Sequence, residues 1–300
     1  MSAGAAPQAP QVMTRAAGAD QHYVARVTRA SGTNFYYAFL FLPKQQREAI
    51  HAVYAFCREV DDSVDAAPNA AEASRRLAFW RGELAACYEG APTHPITRSL
   101  AAHVGRYPIR RRDLEEILVG VERDVEPRPF ADFDELTAYC HRVASAVGLV
   151  CIEIFGYKDP RARDYAVALG LAFQMTNILR DVRADALRGR VYLPADEMAR
   201  FSCPAADLRA ARPTPAFTAL MRFQIERTRE LFAQARRVFP QGDRRSLFAA
   251  EIMGAIYEAI LQKVARRDGD VLRGKVKLSK PHKLMIAAGI YLRSRAPRQA

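Results

Sequence analysis

The sequence predicts an all-α chain, a single domain of roughly ten helices. Apolar residues recur at three- and four-residue intervals almost throughout, and alternating β patterns are absent. The breaks between periodic stretches fall where Pro and Gly cluster. Half of the 300 residues are hydrophobic, enough to build a substantial core.

Taken in order, residues 1–19 are rich in Ala, Pro and Gln and lack a continuous apolar run, so a disordered leader is expected there and the folded domain over 20–295. Helical periodicity then covers Pro43–Ala66, Ala71–Tyr88, Ile96–Tyr107 and Arg111–Val125. It continues over Phe133–Phe155, Pro160–Leu187, Pro215–Val238, Arg245–Arg267 and Lys283–Arg293. Punctuation comes from Gly90-Ala-Pro92, Glu126-Pro-Arg-Pro129, Gly156-Tyr-Lys-Asp-Pro160, Arg212-Pro-Thr-Pro215 and Pro240-Gln-Gly242, none long enough to link two domains. Within Phe133–Phe155 the small residues Ala144, Ser145, Ala146 and Gly148 either admit a neighbouring helix closely or leave room for a ligand.

Composition excludes several function classes. The five cysteines are scattered with no C-x-x-C spacing, which argues against a disulfide framework or a zinc site and points to a reducing cytoplasm. No stretch reaches the roughly 18 uninterrupted apolar residues of a membrane span. A Gly-rich P-loop and a G-x-G-x-x-G fingerprint are both missing, and none of the six His residues has a metal-ligand spacing, so nucleotide hydrolysis and hydride transfer lose support. Net charge is +12, and residues 263–300 hold eleven Lys or Arg against two Asp. There Leu284-Met-Ile-Ala-Ala-Gly-Ile-Tyr-Leu292 is flanked by Lys280, Lys283, Arg293 and Arg295. That pattern suits a helix lying on the inner face of an anionic membrane, and equally a terminal helix packed on the core with a solvated basic rim. Nucleic acid is not an expected partner, since only the basic tail speaks for it.

Chemistry concentrates in two acidic pairs of equal spacing. Asp61 and Asp65 lie in Arg58-Glu-Val-Asp-Asp-Ser-Val-Asp65, at the end of the apolar run Ala49-Ile-His-Ala-Val-Tyr-Ala-Phe-Cys57. Asp181 and Asp185 continue a stripe that begins with Gln174 and Asn177, with Arg180 beside it and Arg188 and Arg190 just beyond. An i,i+4 spacing puts both carboxylates of a pair on one helical face, where like charges cost a few tenths of a kcal/mol and ask for a cation. Magnesium with a diphosphate satisfies carboxylates presented in this way, because Mg2+ takes carboxylate, phosphate and water oxygens together.

Two longer segments carry a resemblance. Tyr139-Cys-His-Arg-Val-Ala-Ser-Ala-Val-Gly148 is one; Leu169-Gly170 through Gln174, Asn177-Ile178, Arg180-Asp181-Val182 and Asp185, then Arg190-Val-Tyr-Leu-Pro194, is the other. Together with the first Asp motif they resemble the squalene/phytoene synthase family over about residues 23–292. Asn34-Phe-Tyr-Tyr-Ala-Phe-Leu-Phe-Leu-Pro43, Tyr54-Ala-Phe-Cys-Arg-Glu-Val-Asp-Asp62 and Glu153-Ile-Phe-Gly-Tyr157 look most like its bacterial presqualene diphosphate synthases of hopanoid biosynthesis.

The resemblance implies a class I isoprenoid synthase fold and the Mg-dependent head-to-head condensation of two farnesyl diphosphates, with three magnesium ions per site and no NADPH. It implies that Asp61, Asp65, Asp181 and Asp185 hold metal, with Asp61, Asp181 and Tyr139 catalytic. Arg58, Arg180 and Arg190 would contact diphosphate, with Tyr54, Gln174, Asn177 and Tyr192 at the polar end and Phe35 near the reacting chains. A phytoene, dehydrosqualene or complete squalene synthase fits the same motifs, as does a family-like assembly factor without catalysis. Two departures stand out: Thr33-Asn34 where relatives usually place two serines, and Asp181-Val-Arg-Ala-Asp185 where they often read Asp-Val-Gly-Glu-Asp.

Overall fold

The structure, a computed structural model, describes residues 9–31 and 34–296, with side chains from residue 18 onward. Among the described residues it contains helices and no strand. In chain order they are α1 (Ala9–Ala30), α2 (Tyr36–Phe39), α3 (Lys44–Asp65), α4 (Ala70–Glu89), α5 (Pro95–Val104), α6 (Arg111–Glu122) and α7 (Phe133–Cys140). A π-helical turn, His141–Ser145, leads into α8 (Ala146–Phe155), followed by α9 (Arg161–Leu187), α10 (Ala195–Arg200) and α11 (Ala205–Arg209). The chain ends in α12 (Pro215–Val238), a 3₁₀ turn at Gln241–Asp243, α13 (Arg244–Ala265) and α14 (Lys280–Arg295).

Helix starts follow local chemistry. Asn69 accepts from Glu72 N, Asp132 from Glu135 N and Thr214 from Phe217 N, and Gly90 ends α4 at φ +87° in the left-handed region. The segment expected as a leader carries helix from residue 9, because Ala is the strongest helix former and Pro10 sits in the first turn, where its missing N–H costs nothing. Residues 1–8 lie outside the described part. Helix α1 packs on α3 and α5, burying Val24 and Thr28 and pairing Asp20 with Arg98 at 2.7 Å.

Helix α9 is the axis of the bundle, contacting α7, the π turn, α8, α11, α12 and α13. The helix expected over Phe133–Phe155 is broken by the π turn, and the break has a use. Tyr139, Val143, Val147, Cys151 and Phe155 all line one cavity at four-residue intervals. On an ideal α-helix that row rotates by about 40° per step. The wider i→i+5 turn takes up part of the drift and keeps the row facing inward.

The small residues serve close approach as well. A Cβ on Gly170 would lie 2.6 Å from Ser145 Cα, and one on Gly120 would lie 2.6 Å from Val143 Cγ1. Ser145 Oγ donates to Val167 O at 2.8 Å, fastening the π turn to α9. Ala144 and Gly148 line the cavity, and a Cβ on Gly148 would also lie 2.9 Å from Ala166 O, so both readings of the small-residue run hold and overlap at Gly148. Phe133–Phe155 is also long and apolar enough to cross a membrane, yet 56 % of its most apolar stretch is buried within the bundle.

Candidate active site

A cavity of about 710 Å³ runs between α3, α6, the 133–155 segment, α9 and α13. Its inner walls are apolar, with Ile50, Val53, Val147, Leu169 and Met253. An aromatic face adjoins them: Phe35 stacks on Tyr257 with centroids 5.6 Å apart, and Tyr257 stacks on Phe173 at 4.4 Å. Asp61, Asp65, Asp181 and Asp185 all lie on the wall of this one cavity, as do Arg58, Arg180 and Arg190. Tyr54, Tyr139, Gln174, Asn177 and Tyr192 complete the sequence-predicted set there, so none of it is scattered elsewhere.

Helix geometry places the acids, and the cations around them, on the same helix or elsewhere, decide which are compensated. On α3, Asp65 accepts from Arg190 Nη1 at 2.5 Å and Arg188 Nη1 at 3.2 Å, both from the turn after α9. Among the described residues Asp61 has only Arg58 Nη1 at 3.5 Å, and that guanidinium is committed to Asp62 through Nε at 2.8 Å. Burial and the neighbouring Asp65 push the Asp61 carboxyl up to about 6 against the pull of Arg58. About half of the Asp61 side chain is accessible, but what it faces is the cavity, where protein surrounds it.

On α9 the order is reversed. Burial works against the charge of Asp181, but Arg180, bonded to it directly, and Lys275, at 3.0 Å, hold its carboxyl below the usual range. Asp185 has no ion pair among the described residues, and burial plus Asp181 push it up to about 7, with Arg188 and Arg190 opposing.

Several residues on the wall escaped the sequence reading, Phe173 and Tyr257 of the aromatic face among them. Asp124, two positions past α6, accepts from Tyr139 Oη at 2.8 Å and Tyr192 Oη at 2.9 Å. Lys275 and Lys277 belong to a strap between α13 and α14 that forms part of the cavity wall. Arg183 Nη1 donates to Leu272 O at 2.7 Å, tying the strap to α9. Arg183 and Ala184, where this chain departs from the family pattern, are exposed and outside the cavity lining, so the extra charge secures the strap. The other departure, Thr33, lies outside the described residues, while Asn34 lines the cavity.

The donor set suits magnesium bound together with a substrate. Among the described residues no three carboxylate, imidazole or thiol groups converge into a preformed cage. Mg2+ needs none, since it commonly takes one or two carboxylates, phosphate oxygens and retained water. Two cavity carboxylates held in the protonatable range, and Asn177 Oδ1 buried without a hydrogen-bond partner among the described residues, are acceptors that a cation would satisfy.

The cavity also holds two thiols. Cys57 and Cys151 line it, and burial pushes both thiols well up.

Residues 28–282 match the squalene/phytoene synthase family model. A presqualene diphosphate synthase from Rhodopseudomonas palustris is 38 % identical over 86 % of this chain and 92 % of its own. A phytoene synthase from Arthrospira platensis is 31 % identical over 96 % of this chain and 98 % of its own. The crystal structure of a dehydrosqualene synthase with a ligand superposes with a TM-score of 0.80 at 28 % identity, covering 93 % of this chain and 98 % of that one. A squalene synthase from Alicyclobacillus acidocaldarius superposes with a TM-score of 0.74 at 28 % identity, covering 83 % and 94 %. The architecture is that of the all-α isoprenoid synthases. A model match across most of the length, relatives above 30 % identity over nearly their whole extent and a shared fold lead to one conclusion: this chain belongs to the squalene/phytoene synthase family.

Proposed function

We propose that this chain condenses two farnesyl diphosphates head to head into presqualene diphosphate, releasing one diphosphate, with magnesium as cofactor and no nicotinamide. The observation that carries this reading is the meeting of both aspartate pairs and their arginines at one polar end of an otherwise apolar and aromatic cavity. The choice of product draws on the 38 % identity to a presqualene diphosphate synthase, above the 31–34 % to several phytoene synthases.

The residues divide the work by position. Magnesium, held by Asp61 and Asp65 from one side and Asp181 and Asp185 from the other, would neutralise diphosphate oxygens and make the group easier to expel. Arg58, Arg180 and Arg190 bind and orient the diphosphates, bidentately where the guanidinium plane allows. Cleavage of the donor's C–O bond leaves an allylic cation, which the aromatic faces of Phe35, Phe173 and Tyr257 stabilise. Apolar walls exclude the water that would capture it. The double bond of the second farnesyl chain attacks this cation, and proton loss closes a cyclopropane that keeps its own diphosphate.

Incubation of the purified protein with Mg2+ and farnesyl or geranylgeranyl diphosphate, with and without NADPH, tests the reading by product mass. Presqualene diphosphate from farnesyl diphosphate, unchanged by NADPH, is expected. Exclusive use of geranylgeranyl diphosphate assigns the protein to phytoene synthesis, and squalene formed with NADPH assigns it to complete squalene synthesis.

A product with two fifteen-carbon chains leaves into lipid, and α14 is the docking face of this proposal. It packs through Ala287 and Ile290 while Leu284, Met285 and Leu292 stay exposed between Lys280, Arg293 and Arg295. Replacing Met285 and Leu292 with Glu is expected to reduce cosedimentation with anionic liposomes; unchanged sedimentation removes the membrane from this proposal.

A further inference from the structure

Asp124 is the one acidic group on the cavity wall, among the described residues, that the reaction above leaves without a task. It is buried, and its two oxygens are used separately: Tyr139 donates to Oδ2 at 2.8 Å and Tyr192 to Oδ1 at 2.9 Å. The phenol rings stack with centroids 5.5 Å apart at 28°, and Phe130 packs against both at 5.2 and 6.0 Å. A carboxylate only accepts, so both phenol protons point at Asp124 and each phenol oxygen keeps lone pairs for another donor. Tyr139 is also one of the residues that line the cavity.

Asp124 has a second side. With Arg190 and Tyr192 it also lines a neighbouring cavity of about 550 Å³. Arg128, on the wall of that cavity, has a side chain 80 % exposed, so this space reaches solvent. Asp124 therefore stands between the candidate reaction cavity and a second one open to solvent.

We propose that Asp124 is the positioning residue for Tyr139 and the far end of a proton relay that serves ring closure, an inference that rests on the condensation proposed above. As the cyclopropane closes, a C–H bond of the acceptor breaks and its electron pair forms the last ring bond. The released proton passes to Tyr139 Oη while the proton Tyr139 held passes to Asp124 Oδ2. A carbocation and a carboxylate thus become a neutral ring and a carboxylic acid, and Asp124 returns its proton to water in the second cavity. Tyr192, bonded to the other oxygen, stops the carboxylate from rotating. Burial holds the Tyr139 phenol well above its ordinary range, which disfavours a free phenolate and favours a relay.

Asp124→Asn keeps the side chain's size and one acceptor oxygen but removes the proton acceptor. The expected result is kcat lower by about 100-fold or more with KM within about threefold of wild type. The melting temperature should be unchanged, with prenyl alcohols from water capture replacing the cyclopropyl product. Tyr139→Phe should give the same products, and the double variant should be no slower than the slower single one. Wild-type-like turnover in Asp124→Asn overturns the proposal, and so does a loss that appears as lower melting temperature and raised KM with the product unchanged. If Asp124→Asn does not fold, Tyr139→Phe decides: alcohols at unchanged KM support the relay, and an unchanged product sinks it. The comparison uses whichever prenyl diphosphate the wild type turns over, so a geranylgeranyl-specific wild type overturns the substrate assignment and leaves the relay under test. A wild type that turns over neither overturns both.

Discussion

Helices α3 and α9 carry aspartate pairs of identical spacing, and the fold treats them as mirror cases. On α3 the second member, Asp65, is neutralised, by Arg190 and Arg188, while the first, Asp61, is left with a distant and shared guanidinium. On α9 the first member, Asp181, is neutralised, by Arg180 and Lys275, while Asp185 has no ion pair among the described residues. Spacing sets where carboxylates point; the cations that reach each one, from its own helix or from elsewhere in the chain, set which of them are compensated. Each helix thus offers one anchored carboxylate and one uncompensated carboxylate to an arriving cation.

The largest effect should come from removing one acid on each side. Asp61→Ala and Asp181→Ala are each expected to lower kcat by about 1,000-fold or more, since on the proposed reaction each would remove metal and diphosphate charge stabilisation. If both variants keep a tenth of wild-type turnover in single-turnover assays, neither helix does chemistry, and a scaffold role gains ground. Arg190→Ala should come next, with kcat/KM down by roughly 10- to 100-fold, because its contact with Asp65 is short and largely buried. Arg188→Ala should cost less than about fivefold, its contact being longer and its side chain 55 % exposed. Equal losses in the two arginine variants would erase the distinction between them.

Protons should report the uncompensated acids. Asp61 and Asp185 titrate near 6 and 7, above the ordinary Asp value of about 3.9, so between those limits the folded protein binds more protons than the unfolded chain. By linkage its stability then falls as pH rises. In EDTA the melting temperature is expected to be higher at pH 5.5 than at 7.5 by about 2 °C or more from these groups, and Mg2+ with diphosphate should shrink the difference. A metal-free protein whose stability rises over that window, with Asp61→Asn and Asp185→Asn leaving the slope unaltered, would show that neither acid is uncompensated. The smallest effect belongs to Lys275→Ala: its 52 % exposed side chain limits the loss of stability to less than about 1 kcal/mol by denaturant titration.

What the sequence disclosed follows from what a helix fixes. Residues four apart on α3 and α9 must share a face, so Asp61, Asp65, Gln174, Asn177, Asp181 and Asp185 could be placed before any coordinates, and all line the cavity. Asp124 could not. It sits in a turn after α6, outside any periodic row, and only the fold brings two tyrosines from residues 139 and 192 to its oxygens. The strap lysines escaped for the same reason, since a loop has no period to project. The π turn escaped because a 3.6-residue reading assumes that every turn is alike. Helix α1 was missed because the composition of its first half resembles a linker, and its burial against α3 and α5 is a tertiary fact.

Cys57 and Cys151 give the cavity one more property. A protein that generates allylic cations beside its own side chains risks alkylating itself, and a thiolate would be the readiest victim in this wall. By keeping both sulfurs protonated in an apolar setting, the fold leaves them soft but poorly nucleophilic, packing atoms more than reagents. On the condensation proposed above, the burial that would shield the cation from water would also protect the protein from its own intermediate.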